Sequence, residues 1–171
     1  MTPPTRISAA SPKTPFEQIV SRHGPTVLRV CRAVLGSHTD ADDAWSETFL
    51  AALRAYPDLP ADANTQAWLV TIAHRKAIDI TRARARHAVP VAVPPDRAAP
   101  ETDPTDTSVW RAVAALPRRQ REVIAYRYLG GLDYAGIAEI TGGTAAAARR
   151  AAADGLNRLR TQGFLQEGSN R

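Results

Sequence analysis

Cysteine occurs once in these 171 residues, so no internal disulfide can hold the fold together. Cys31 lies within the apolar stretch VLRVCRAVL, where a small buried side chain is its expected role. Lysine is nearly as scarce: Lys13 and Lys76 are the only two, and arginine supplies the rest of the 22 basic residues. No apolar run approaches the ~18 residues a membrane-spanning helix needs, so no membrane insertion is expected. The four histidines, at 23, 38, 74 and 87, lack ligand spacing, which argues against a metal site. No nucleophile–base–acid cluster and no phosphate-cradling glycine loop is present. Neither an enzyme, a cofactor nor a small-molecule substrate is therefore expected. The leader MTPPTRISAASPKTP has four prolines and no apolar core of a secretory signal. Residues 1–15 read as a disordered leader, and the chain as cytoplasmic.

What is present is positive charge, helical periodicity and one proline-rich interruption. A net charge of +5 and a pI near 10.0 favour a polyanionic partner without naming it. Residues 88–107, AVPVAVPPDRAAPETDPTDT, hold five prolines and four acidic residues, a density that regular structure does not tolerate. They read as a linker between a domain at 16–87 and another at 108–165. The predicted fold is all-α: two small helical domains, tied in solution only by that linker, the C-terminal one a helix-turn-helix.

In the first domain, Phe16, Ile19, Val20, Val27, Val30, Cys31, Val34 and Leu35 recur at helical spacing. Gly24-Pro25 is expected to kink or split that helix, and Gly36 to stop it. A second helix, over about 40–56, opens on acidic residues where the helix dipole favours them. It carries Ala41, Trp45, Phe49, Ala52 and Tyr56 inward. After the loop PDLPADANT, Asn64 or Thr65 can cap a third helix over about 66–86, packed through Trp68, Leu69, Ile72, Ala73 and Ile80.

In the second domain, Val109, Trp110, Val113 and Leu116 mark a lead helix ending at Pro117. RRQREVIAYRYLGG follows and stops at glycine. Asp133 caps YAGIAEIT, Gly142-Gly143 makes a tight turn, and Thr144 caps the last helix. That helix, rich in alanine, still sorts into faces. Ala148, Ala152, Leu156 and Leu159 form an apolar stripe, and Ala146, Arg149, Arg150, Ala153, Asn157 and Arg160 the opposite one.

Three stretches carry functional signal. DADDAWSETF groups Asp40, Asp42, Asp43 and Glu47 without a basic residue, which suits a solvated helix face or a docking surface for a basic protein. AWLVTIAHRKAIDITRARAR passes from an aromatic–apolar start to Arg75, Lys76, Arg82, Arg84 and Arg86, candidates for phosphate contact. The loop before it offers Asn64 to an unpaired base. LPRRQREVIAYRYLGGLDYAGIAEITGGTAAAARR has the helix–turn–helix plan of a DNA-binding unit.

In this order, DADDAWSETF, WLVTIAHRKAID, the acidic proline-rich linker, LPRRQREV and GLDYAGIAEITG resemble the extracytoplasmic-function sigma factors of the sigma-70 family. The resemblance covers about 16–160. It implies a transcription initiation factor whose partners are core RNA polymerase and promoter DNA, with an anti-sigma factor as a possible third. By the same resemblance, Asp40, Asp42, Asp43, Glu47 and Phe49 would bind polymerase. Asn64, Trp68 and the basic residues after them would melt and hold the −10 element. Arg118, Arg121, Thr144, Arg149 and Arg150 would hold the −35 element as duplex. Four departures stand out: Ser46 where glutamine is usual, Arg75 for asparagine, Gly136 for an acid, and TAAAARRA at the start of the recognition helix. The last leaves base reading to Thr144, Arg149 and Arg150, so phosphate and groove-shape contacts should carry more of the recognition. Two other readings fit parts of the sequence. One is a free-standing helix-turn-helix regulator, which would not need the acidic helix. The other is a protein-sequestering module that has lost promoter recognition.

Overall fold

The computed structural model describes residues 13–87 and 104–164. Most of the expected leader (1–12 of 1–15), most of the expected linker (88–103) and the tail from 165 lie outside them. Lys13, at the end of the leader, is described and donates to the Pro57 and Leu59 carbonyls. The described residues form α1 (Phe16–Leu35), α2 (His38–Ala55), a 3₁₀ turn (Tyr56–Asp58), α3 (Thr65–His87), α4 (Pro104–Ala114), α5 (Arg118–Ile124), a π turn (Ala125–Leu129), α6 (Tyr134–Thr141) and α7 (Ala145–Thr161). There is no strand among them, as an all-α pattern requires.

Two prolines lie within helices. α1 runs unbroken through Pro25. The Trp45 indole donates to the Gly24 carbonyl at 3.0 Å, and Val27, Val30 and Cys31 on the next turn are fully buried. Packing on both sides of the weak point outweighs the one backbone bond that proline removes. The linker is also shorter than expected, because α4 begins at Pro104 rather than near 108. Proline suits a first helical turn, where its missing N–H would have no partner.

The other ends follow local chemistry. Gly36 closes α1 in the left-handed region at φ 70°. Ser37, Asp133 and Thr144 each accept a bond from a backbone N–H three residues on, starting α2, α6 and α7. Asn64 does the same for α3, its Oδ1 accepting from Ala67 N–H at 3.0 Å.

α1, α2 and α3 enclose one core, built from Ile19, Val27, Cys31, Ala41, Ala44, Phe49, Ala52, Leu69 and Ala73. Burial pushes the Cys31 thiol up to about 12, so it packs as an inert apolar group. A second core lies under α5, α6 and α7, and it is not confined to them. Val30, Ala33 and Val34 of α1 and Val70 and Ala77 of α3 join Val113, Leu116, Val123, Tyr126, Ile137, Ala148 and Leu159 in one continuous cluster. The two helical domains are as expected, but they also share apolar contacts and are not tied by the linker alone. The apolar stripe of α1 is wide enough to serve both cores.

Side-chain hydrogen bonds cross this seam. The Tyr126 hydroxyl and His74 Nδ1 lie 2.6 Å apart, both side chains buried. Gln66 Nε2 donates to the Gly130 carbonyl at 2.7 Å. The π turn sets up the second contact: Gly130 N–H reaches back to Ala125 O, five residues away, at 2.9 Å. A Cβ on Gly130 would stand 2.9 Å from the Tyr126 carbonyl and 3.2 Å from Val70 Cγ2, so only glycine fits there without a shift.

Tyr126→Phe should lower stability by about 1–3 kcal/mol, since it strands a buried imidazole nitrogen; denaturant unfolding measures this. Burial holds the His74 pKa below its ordinary 6.5, although the Glu122 carboxylate opposes it. The unfolded chain then binds more protons than the folded one, so stability is full above 6.5 and declines as pH falls through the folded value. His74→Gln should flatten that decline. Some slope should persist, because burial and Arg22 also depress His23. Equal pH slopes for the variant and the parent protein would remove His74 from the linkage.

Candidate docking and nucleic-acid interfaces

On α2 the acidic cluster divides between core and surface. Asp42, Asp43 and Glu47 are exposed, as a docking face requires. Asp40 is buried, and its Oδ2 lies 2.8 Å from Arg84 Nη2 across the α2–α3 packing. It joins helices together instead of facing a partner. Phe49, at 6% exposure, packs against Trp45 (ring centroids 4.8 Å) and Phe16 (6.5 Å). Asp40 and Phe49 fall on the inward side of α2, with Ala41, Ala44 and Ala52. The outward side carries two residues that charge pattern did not reveal, Leu50 at 49% and Leu53 at 52% exposure. Large apolar side chains beside carboxylates are the composition of a protein-docking patch. Their position off the inward stripe was the available signal.

On α3 the basic residues also divide. Arg75, Arg82 and Arg86 are exposed. Arg84 is paired with Asp40, and Lys76 Nζ lies 3.7 Å from Glu47 Oε2. Trp68 is half-buried, its ring 6.4 Å from that of Tyr56. Asn64 is exposed at the mouth of a cleft of about 370 Å³, lined by Arg22, His23, Asn64–Ala67 and Gly130–Gly131. Its cap bond commits Oδ1 and leaves the amide NH₂ as a donor toward any base.

In the C-terminal part, Thr144, Arg149 and Arg150 are brought together on the exposed face of α7, with Asn157 and Arg160 further along. The core face is Ala148, Ala152, Gly155 and Leu159, with Leu156 half-buried. Arg118 and Arg121 do not join the arginines of α7. Arg118 Nε donates to the buried Glu122 carboxylate at 2.7 Å, a bond that raises the arginine's pKa. Arg121 is half-buried and Nη1 donates to the Ala114 carbonyl at 2.8 Å, while burial lowers its pKa. Arg121 is thus an internal tie between α4 and α5. Arg119, between them, has a role that sequence reasoning missed. It donates to Thr141 O at 3.1 Å and Gly142 O at 2.7 Å, closing the C-terminal end of α6 at the turn into α7.

Comparison with known proteins agrees with this layout. Residues 19–87 match the Sigma-70 region 2 model, and 106–159 match Sigma-70, region 4. The chain is 31% identical to the ECF RNA polymerase sigma factor SigM of Mycobacterium tuberculosis, over 91% of this chain and 81% of that one. It belongs to the extracytoplasmic-function sigma factors of the sigma-70 family. SigD of the same organism is 29% identical over 91% of this chain and 80% of its own. The fold matches the sigma factor RpoE, solved with the anti-sigma factor NepR from Bartonella quintana, at TM-score 0.72. That match has 22% identity and covers 89% of this chain and 98% of the other. CnrH, solved with the cytosolic domain of CnrY, matches at TM-score 0.62 and 25% identity, covering 86% of each chain.

The division of α2 into inward and outward residues is open to a stability test on this sigma factor. Phe49→Ala should cost about 3–5 kcal/mol, as for a packed aromatic. Asp43→Ala should stay within about 0.5 kcal/mol, as for an exposed position. Thermal unfolding followed by circular dichroism separates the two.

Proposed function

We propose that this sigma factor docks on core RNA polymerase through the outward face of α2 and reads promoters with two separate surfaces. The chain supplies promoter specificity, and polymerase supplies the catalytic metal and the chemistry, so the protein is not itself an enzyme. It acts in the cytoplasm, where polymerase and template are. No helix among the described residues is long and apolar enough to cross a membrane.

The observation that carries this reading is the pairing of Asp42, Asp43 and Glu47 with exposed Leu50 and Leu53 on one helix, in a chain that is otherwise basic. A free-standing helix-turn-helix regulator has no use for such a face. A sequestering module has no use for the exposed arginines of α3 and α7. In the proposed complex the carboxylates steer the encounter, and Leu50 and Leu53 provide the apolar burial. The Asn64 loop, the neighbouring cleft and Arg75, Arg82 and Arg86 hold the opened −10 strand. The exposed face of α7, with Thr144, Arg149 and Arg150, holds the −35 duplex. An anti-sigma protein is a further proposed partner, since RpoE and CnrH were each solved with a second protein bound.

The deciding experiment is run-off transcription with purified bacterial core polymerase, with and without this chain, on genomic promoter fragments from its host. Transcripts that need the chain would establish the reading, and their start sites would define both promoter elements. Leu50→Asp with Leu53→Asp should abolish those transcripts while the protein stays folded. Arg149→Ala should reduce them several-fold. Normal transcription by the double variant would remove the outward face of α2 from docking.

A further inference from the structure

The recognition helix has few groups for reading DNA, and the structure adds one beside it. The guanidinium of Arg149 lies over the ring of Tyr134, 5.3 Å from its centroid. A second guanidinium, that of Arg127, lies 5.1 Å from the same centroid. Tyr134 is the first residue of α6, Arg127 comes from the π turn, and Arg149 is on the second turn of α7. One aromatic ring therefore collects a cation from each of the other two segments.

Each position is fixed from below. The Asp133 carboxylate, next to the ring in sequence, takes the Gly136 N–H at 2.7 Å and sets the start of α6. Arg127 Nη1 also donates to the Leu132 carbonyl at 3.0 Å, so its head group is held at two points. Tyr134 is half-buried against the α5–α7 core, which anchors the ring while leaving an edge at the surface. Arg149 is exposed, so the ring is a prominent restraint on a long side chain that solvent would otherwise let wander. Two like charges near one ring repel each other, and the repulsion is relieved when a polyanion arrives.

We propose that Tyr134 is the positioning residue of the −35 surface: its ring preorganises Arg149 for the groove, and Arg127 beside it is an additional contact to the DNA backbone. This rests on the promoter-binding reading of α7 given above. It also explains how a helix beginning TAAAARRA can read DNA. Preorganisation reduces the entropy lost when a flexible arginine binds, so a restrained arginine contributes more than a free one. The restraint has the size of a surface cation–π contact, which corresponds to about three- to fivefold in affinity.

The test uses the full chain assembled with core polymerase and a duplex enriched by that holoenzyme from a randomised pool. Tyr134→Phe keeps the ring and should bind that duplex within twofold of the parent. Tyr134→Leu keeps bulk without the ring and should bind about three- to fivefold more weakly. In the Arg149→Ala background the same Leu substitution should have no further effect, because the residue it positions is gone. Arg127→Ala should lower the slope of log affinity against log salt by about one contact. Circular dichroism melts guard against a merely structural loss. Additive effects of Tyr134→Leu and Arg149→Ala, or equal losses for Phe and Leu, would overturn the positioning role. An unchanged salt slope would remove Arg127 from the contact set. If Arg149→Ala itself binds normally, or no duplex is enriched, the promoter reading of α7 fails first and this inference with it.

Discussion

The fold depends on one helix serving two cores. α1 gives Ile19, Val27 and Cys31 to the cluster it shares with α2 and α3, and Val30, Ala33 and Val34 to the cluster under α5–α7. A helix with one partner needs a single apolar stripe; this one is apolar around more of its circumference. Once both sides are covered, its central proline is tolerated and the chain's two halves acquire a common interior. The polar groups caught in that interior must then be satisfied there. His74 and Tyr126 bond each other, Gln66 reaches Gly130, and Glu122 takes Arg118. Each pair is what burial demands of polar atoms brought in with an apolar surface.

The alanine content of α7 reflects the same economy of space. Gly155 and the alanines facing α5 let the two helices approach closely. A Cβ on Gly155 would fall 2.6 Å from Ile124 Cδ1 and 3.2 Å from Gln120 Cβ. Small residues inside are thus needed for packing. Small residues outside, at Ala146, Ala147 and Ala153, leave the exposed side with few polar atoms. The helix is closely packed on one face and sparse in polar groups on the other, and these are separate properties of its two faces.

Much of this was legible in the sequence because it is local. The caps at Asn64, Asp133 and Thr144 follow from a short polar side chain three residues before an N–H that needs a partner. The faces of α7 follow from 3.6-residue periodicity. The helix ends at Gly36 and Gly142 follow from positive φ, which glycine alone adopts without strain. What escaped is non-local. Phe49 and Asp40 belong to an acidic motif by sequence and to the interior by geometry, since α2 turns them toward α1 and α3. Arg118, Arg119 and Arg121 are near-neighbours in sequence, yet each answers a different group: a buried carboxylate, a helix end and the last turn of α4. The contact between halves was invisible because a proline-rich linker constrains only its own residues. It says nothing about apolar surface elsewhere on the chain.

Internal pairing also decides which charges remain for partners. Arg84 is held by Asp40 and Lys76 sits beside Glu47, so α2 and α3 neutralise part of their own opposition. The exposed Lys76–Glu47 pair contributes at most about 1 kcal/mol, too little to explain the fold. The larger effect of the two pairs is to sort the residues. Asp42 and Asp43 stay on the outer side of α2, and Arg75, Arg82 and Arg86 stay exposed on α3. Opposite charges on adjacent helices interact chiefly within about one Debye length, ~8 Å in physiological salt. The mutual pairs lie along the α2–α3 contact, while Asp42, Asp43, Arg75, Arg82 and Arg86 are exposed. Using arginine for nearly all the basic positions adds a planar, always-charged donor set suited to phosphate. The same choice allows Arg127 and Arg149 to stack on Tyr134, where lysine would lack the planar group for stacking.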